Sequence, residues 1–207
     1  MEILSIILNS FLSVIAIAVS IISLVYLNRQ IKLSNKQSLF NDRVKAFTIL
    51  RNLFNLYEHN KENDKSVVEF PDFMFYLLAG NKFLEDTMEI MEKPLNSKEQ
   101  NNFLGKMEDL MAIALQIELL WEVEESKIAS SFVLKYTDLL CSLYKQNIYI
   151  LKLKSRKECD LEEFKKLIFK KAKDIGLLKN IEEIRFFFNQ IKEKKVLEKL
   201  KEQIKLK

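Results

Sequence analysis

The chain is poor in the residues that many catalytic and turn-rich folds depend on. Its 207 residues include three glycines, two prolines and one histidine. Ordinary domains carry glycine at about 7%, so Gly-rich phosphate loops and hairpin-dense β-sandwiches are disfavoured. A single histidine leaves little for a nucleophilic triad or for paired inward Glu-x-x-His metal ligands. Two cysteines at this spacing make no disulfide framework and suit a reducing compartment. Cys141, in Leu139-Leu140-Cys141-Ser142-Leu143, reads as a small core residue. Cys159, beside Arg156 and Lys157, reads as a thiol in a connector.

Charge is also missing from one long stretch. From Ile3 to Leu27 there is no charged residue, and 19 of the 25 positions are apolar. A helix of that length reaches ~37 Å at ~1.5 Å per residue, and a bilayer's hydrocarbon core is about 30 Å thick. A cleaved signal peptide fits less well. Its apolar core would be shorter, and no Lys or Arg precedes this run. The run therefore predicts a retained transmembrane helix. Arg29, Lys32 and Lys36 follow it and would meet the lipid headgroups. The positive-inside rule then puts the N-terminus outside and the body in the cytoplasm, as a single-pass protein of the cell membrane. Within the run Ser5, Asn9, Ser13, Ala16, Ser20 and Ser23 recur at helical spacing. Small residues let helices approach, and an amide can bond across the contact. The stripe predicts self-association of the span, or pairing with another membrane protein, through Ser5, Asn9, Ser13, Ala16 and Ser20.

What remains is helical in pattern, with apolar residues at three- and four-residue spacing almost throughout. Phe40, Val44, Phe47, Leu50, Phe54 and Tyr57 form a first stripe. A polar loop is expected from His59 to Ser66, and a helix from Pro71 to Lys93 with Phe73, Leu77, Leu84, Met88 and Met91 inward. Ser97-Lys98-Glu99-Gln100 reads as a capping box opening a helix that buries Phe103, Met107, Leu110, Ala114, Ile117 and Trp121. The pattern breaks at Glu122–Ser126, and a further helix follows with Ile128, Phe132, Tyr136, Leu139 and Leu143. Asp160 caps a short helix that Gly176 ends, and a last helix from Asn180 carries Ile184, Phe187, Phe188 and Ile191. The fold class is all-α: residues 1–30 a transmembrane anchor, 31–151 an antiparallel cytoplasmic bundle, 152–207 a basic helical C-terminal arm.

Charge is distributed unevenly along this body. Residues 66–151 hold seven basic and fourteen acidic groups, and residues 152–207 hold eighteen basic and ten acidic. Such asymmetry points to an anionic membrane surface, a nucleic acid, or docking between the chain's own segments. The basic segment's aromatics fall at core spacing and its lysines alternate with glutamates, which favours a surface helix over a nucleic-acid interface. The acidic faces Glu85/Glu89/Glu92 and Glu118/Glu122/Glu125 read as solvated or docking surfaces rather than metal sites. No catalytic residue, metal or cofactor is expected.

Two resemblances add to this reading. Arg51-Asn52 followed by His59 resembles the Arg-polar…His motif of HEPN-type helical ribonucleases, with a slightly longer spacer of seven residues here. Leu39-Phe40-Asn41-Asp42-Arg43-Val44-Lys45-Ala46-Phe47, directly after the span, resembles a Leu-Phe-x-x-Arg-x-x-x-Phe/Tyr segment of small uncharacterised bacterial single-span proteins. That resemblance implies a helical cytoplasmic part and nudges the reading toward phage defence. Phe40, Arg43 and Phe47 share a helix face, where Arg43 could stack on either ring. The sequence thus predicts a membrane-anchored helical scaffold that binds a cytoplasmic partner protein. The alternatives are a membrane-perturbing effector of a defence or toxin system, and a HEPN-like ribonuclease.

Overall fold

The computed structural model describes residues 2–61, 66–121, 123–155 and 160–204, with the side chains of residues 2–16 and of Ala18 left outside that description. Every regular element among the described residues is helical. In order these are α1 (Glu2–Asn60), α2 (Pro71–Ala79), a 3-10 turn (Glu85–Met91), α3 (Ser97–Leu120), α4 (Glu124–Lys154), α5 (Leu161–Asp174), α6 (Leu177–Glu193) and α7 (Val196–Glu202). The chain divides into two compact units, one holding Met1–Asp42 and the other Arg43–Lys205.

In the first unit the described part of α1 is exposed on all sides from residue 17 to residue 39. Among the described residues no helix is long and apolar enough to cross a membrane. Most of the expected span, residues 3–16 and Ala18, has its side chains outside the described set.

The second unit is organised around α4. Phe132, Val133, Tyr136, Leu139, Leu140 and Leu143 are all buried along it. Phe54 and Tyr57 of α1 and Phe188 of α6 close one side, with Phe54 stacked on Phe188 at 4.8 Å and Tyr57 edge-on to Phe132 at 6.2 Å. Phe103 of α3 meets Tyr144 at 5.0 Å on another side. The basic C-terminal segment does not stand apart. Ile168, Leu177, Ile184, Phe188, Ile191, Val196 and Leu200 are buried in the same core.

Buried polar groups on α4 hold the segments packed against it. Gln146 Nε2 donates to Val68 O at 3.2 Å and Ile168 O at 3.1 Å, and Asn147 Nδ2 donates to Met91 O at 2.9 Å. Tyr136 Oη donates to Leu78 O at 2.7 Å, and Tyr144 Oη to Pro94 O at 2.6 Å. Carbonyls that a regular helix would satisfy internally need such donors when they are buried.

Several local expectations change. The helix expected from Pro71 to Lys93 stops at Ala79, because Asn81 Oδ1 accepts from Phe83 N (2.9 Å) and Leu84 N (3.1 Å) and turns the chain. Within α2 the inward face is Met74, Phe75 and Leu78, and Phe73, expected inward, is exposed. The N-cap of α3 is Asn96, whose side chain accepts from Lys98 N, so Ser97 lies inside the helix. His59 belongs to the last turn of α1 rather than to a loop. The last amphipathic helix starts after Gly176, at Leu177, and Asn180 lies within it, donating to Asp138 O and Ser142 Oγ. Gly176 takes φ +76°, a conformation that favours glycine, and ends α5 as expected. Asp160 caps α5 by accepting from Glu163 N at 2.8 Å.

Candidate functional site

Three places on the second unit gather chemistry or unburied apolar surface. The first lies at Arg43, the arginine of the motif segment. Leu120 ends α3, and a helix leaves its last carbonyls unpaired and partly negative. Arg43 Nε and one of its terminal nitrogens donate to Leu120 O at 3.0 and 2.8 Å. Its other terminal nitrogen donates to Gln203 O at 3.1 Å, at the C-terminus of α7. One guanidinium therefore caps two helix ends. The expected stacking partner also changes: the Arg43 guanidinium lies 5.9 Å from the centroid of Trp121. Trp121 in turn donates from Nε1 to Leu200 O at 3.2 Å, adding a second tie to α7. Phe47 is buried in the core and Phe40 is half-buried.

Ion pairs reinforce this C-terminal docking. Lys199 bonds Glu125, and Lys192 Nζ lies 2.8 Å from Glu58 Oε1. Both carboxyls are held below the usual glutamate range, chiefly by the hydrogen bond each accepts from its lysine. Lys135 bridges Asp138 (3.1 Å) and Glu183 (2.9 Å), and those hydrogen bonds push its ammonium above the ordinary lysine value. The acidic middle and the basic C-terminal segment thus meet within one chain.

The second place is a cleft of about 370 Å³ lined by Asn52, Asn55, Leu56, His59, Gly80 and Asn81. It gathers the one histidine and three amides. His59 Nδ1 lies 2.6 Å from Asn55 O in its own helix. Arg51 is exposed on the same helix and is not among the lining residues, so the Arg–His pair of the ribonuclease-like motif is not brought into one pocket.

The third place is the outer face of α3. Leu104, Met111, Leu115 and Leu119 are 45%, 46%, 58% and 69% exposed. They recur at intervals of seven, four and four residues, one seam beside the buried stripe. The expected inward stripe of this helix is only one of its two apolar rows; the same periodicity carries the second seam. Between Met107 and Leu120 the charged residues are Glu108, Asp109 and Glu118, all exposed and all acidic.

No protein-family model matches this chain, and no curated protein or solved structure matches it.

Arg29, Lys32 and Lys36 are exposed on α1, and Ser20 is exposed on the same helix. Ser5, Asn9, Ser13 and Ala16 lie outside the described side chains, as do Glu122 and Cys159. Burial pushes the Cys141 thiol up to about 11, which keeps it protonated and inert. Among the described residues no group of three or more His, Cys, Asp or Glu could hold a metal ion.

Proposed function

We propose that this protein is a membrane-tethered helical binding module. Its N-terminal run anchors it with the body on the cytoplasmic side, and the outer face of α3 engages another protein. The observation that carries the anchoring is the state of α1. Ile17, Val19, Ile21, Ile22, Leu24, Val25, Tyr26 and Leu27 are each between 53% and 65% exposed, all round the helix. Leaving a large apolar side chain in water forgoes ~1.5–3 kcal/mol. A bilayer removes that cost for the whole charge-free run Ile3–Leu27 at once. Arg29, Lys32 and Lys36 follow where cytoplasmic headgroups would lie.

The α3 seam supports binding as the mode of action. Scattered exposed leucines are ordinary, but an aligned row of large apolar residues marks an interaction surface. Self-association of the span through Ser5, Asn9, Ser13, Ala16 and Ser20 is compatible with this reading and would raise the local concentration of the α3 faces.

The test is membrane fractionation of the full chain. It should stay in the membrane pellet after an alkaline wash, and Ala16→Arg with Ile17→Lys should move it to the supernatant. Release of the unaltered chain by alkali would overturn the anchoring.

A further inference from the structure

We infer that the α3 seam is occupied by α5 of a second copy of this chain, in a head-to-tail contact. The inference rests on the binding role proposed for α3 and names its partner. Two exposed faces of the same unit complement one another. On α3, Met111, Leu115 and Leu119 are flanked by Glu108 and Glu118, both exposed, while Lys106, on the far side of the helix, is taken up by Asp109 at 3.7 Å and by the ring of Phe83. On α5, Phe169 is 50% exposed and is surrounded by Lys165, Lys166, Lys170 and Lys173, all exposed, with no acidic residue from Phe164 to Lys173.

The periodicity of α5 explains its half of the match. Ile168 and Ala172 are buried and fix the inner side of the helix. Phe169 and Lys173 are four residues apart, and Lys165 and Lys166 precede Phe169 by four and three, so they share the outer side. An aromatic ring placed among lysines gains nothing from water. Set against a seam of leucine and methionine it buries apolar area, while the lysine stems lie along the seam and their ammonium groups reach the flanking carboxylates. Each face repels its own kind, so α3 against α3 and α5 against α5 are both disfavoured. The contact is therefore heterologous. Repeated from copy to copy, it closes a ring or extends as a filament. A membrane tether would confine such growth to a plane.

The test uses the full chain in membranes, with Cys141→Ser and Cys159→Ser as background. One tagged copy carries Leu115→Cys and a differently tagged copy carries Phe169→Cys. A short bis-maleimide linker should join the two, at a yield at least tenfold above either variant expressed alone. Glu108→Lys with Glu118→Lys should cut that yield at least tenfold, and so should Lys166→Glu with Lys170→Glu. Combining both reversals should restore it to within about twofold. Linkage of Leu115→Cys to itself, absence of linkage, or failure of the combined reversal to restore it would each overturn the inference. Linkage of position 115 to another protein, with none to position 169, would overturn the second-copy assignment and leave the proposed binding role standing. Loss of the chain to an alkaline wash would overturn the anchoring without touching this contact.

Discussion

α3 and α4 are neighbours in one bundle, yet α4 buries a set of polar residues where α3 buries none, and α3 exposes an aligned row of large apolar ones where α4 exposes only Leu134 and Leu151. α4 buries Ser126, Ser130, Thr137, Ser142, Gln146 and Asn147 among its apolar residues. α3 leaves Leu104, Met111, Leu115 and Leu119 in solvent. Most of the polar groups buried on α4 have an internal explanation. Gln146 donates to carbonyls of the turn before α2 and of α5, Asn147 to the end of the 3-10 turn, and Thr137 and Ser142 bond back to their own helix at 2.9 Å. The apolar groups exposed on α3 have no counterpart in the fold's own packing. A buried amide here ties neighbouring segments to α4, whereas an exposed leucine seam points outside the chain.

Removing one large apolar side chain from each helix gives the sharpest contrast. Phe132 on α4 is fully buried and touches the rings of Phe54, Tyr57 and Tyr136. Phe132→Ala should cost about 3–5 kcal/mol, since the aromatic cluster cannot collapse into the space. Leu115→Ala on α3 should leave stability within about 0.5 kcal/mol, as for surface positions generally. Urea unfolding of both variants measures the difference. A cost above about 1.5 kcal/mol at Leu115 would mean that the seam is part of the core after all.

Arg43 comes next in size and joins the end of α3 to α7. Hydrogen bonds to a charged group contribute ~1.5–3 kcal/mol. Arg43 is half-exposed and makes three of them, so Arg43→Ala should cost about 2–3 kcal/mol. Arg43→Lys should recover less than half, because an ammonium is a compact point charge and cannot span Leu120 O and Gln203 O as the guanidinium fork does. Trp121 is the only tryptophan, and its indole bonds α7. Its fluorescence should therefore report the loosening of α7 before global unfolding. Full recovery in the lysine variant would reduce Arg43 to a general positive charge.

The contrast between the two helices also shows what sequence pattern can and cannot reveal. The inward stripe of α3, the Asp160 cap and the stop at Gly176 were legible because each depends on residues within a few positions of one another. The break after Ala79 was less so. Apolar periodicity runs on through Leu84 and Met88, and the turn depends on one asparagine side chain accepting two backbone amides. The role of Arg43 could not be read locally at all. Its acceptors lie 77 and 160 residues away, and the motif that singles it out carries no mark of them. Docking of the basic C-terminal segment was one of the readings that the charge imbalance offered, beside a membrane surface and a less favoured nucleic-acid interface. The outer seam of α3 was present in the spacing, but a helix with two apolar faces is assigned by its stronger one.

The smallest effect concerns the ion pairs, which tie α6 and α7 down while leaving α3 untouched. Glu58 and Glu125 titrate below their usual range because Lys192 and Lys199 donate to their carboxylates. A carboxyl depressed in the folded state contributes stability that is fully present above its unfolded value, about pH 4.3 for glutamate. That contribution fades as pH falls through the lower folded value. Acidification from pH 6 to pH 3 should therefore weaken α7 docking, read as a shift in Trp121 emission, before the core of α4 melts. Both pairs are partly exposed, with lysine side chains at 50% and 49%, so solvent screening keeps the effect small. Glu125→Gln should flatten the Trp121 change by removing the titrating group. An emission shift of undiminished size in that variant would place the acid sensitivity elsewhere in the bundle, and would leave Arg43 as the main tie on α7.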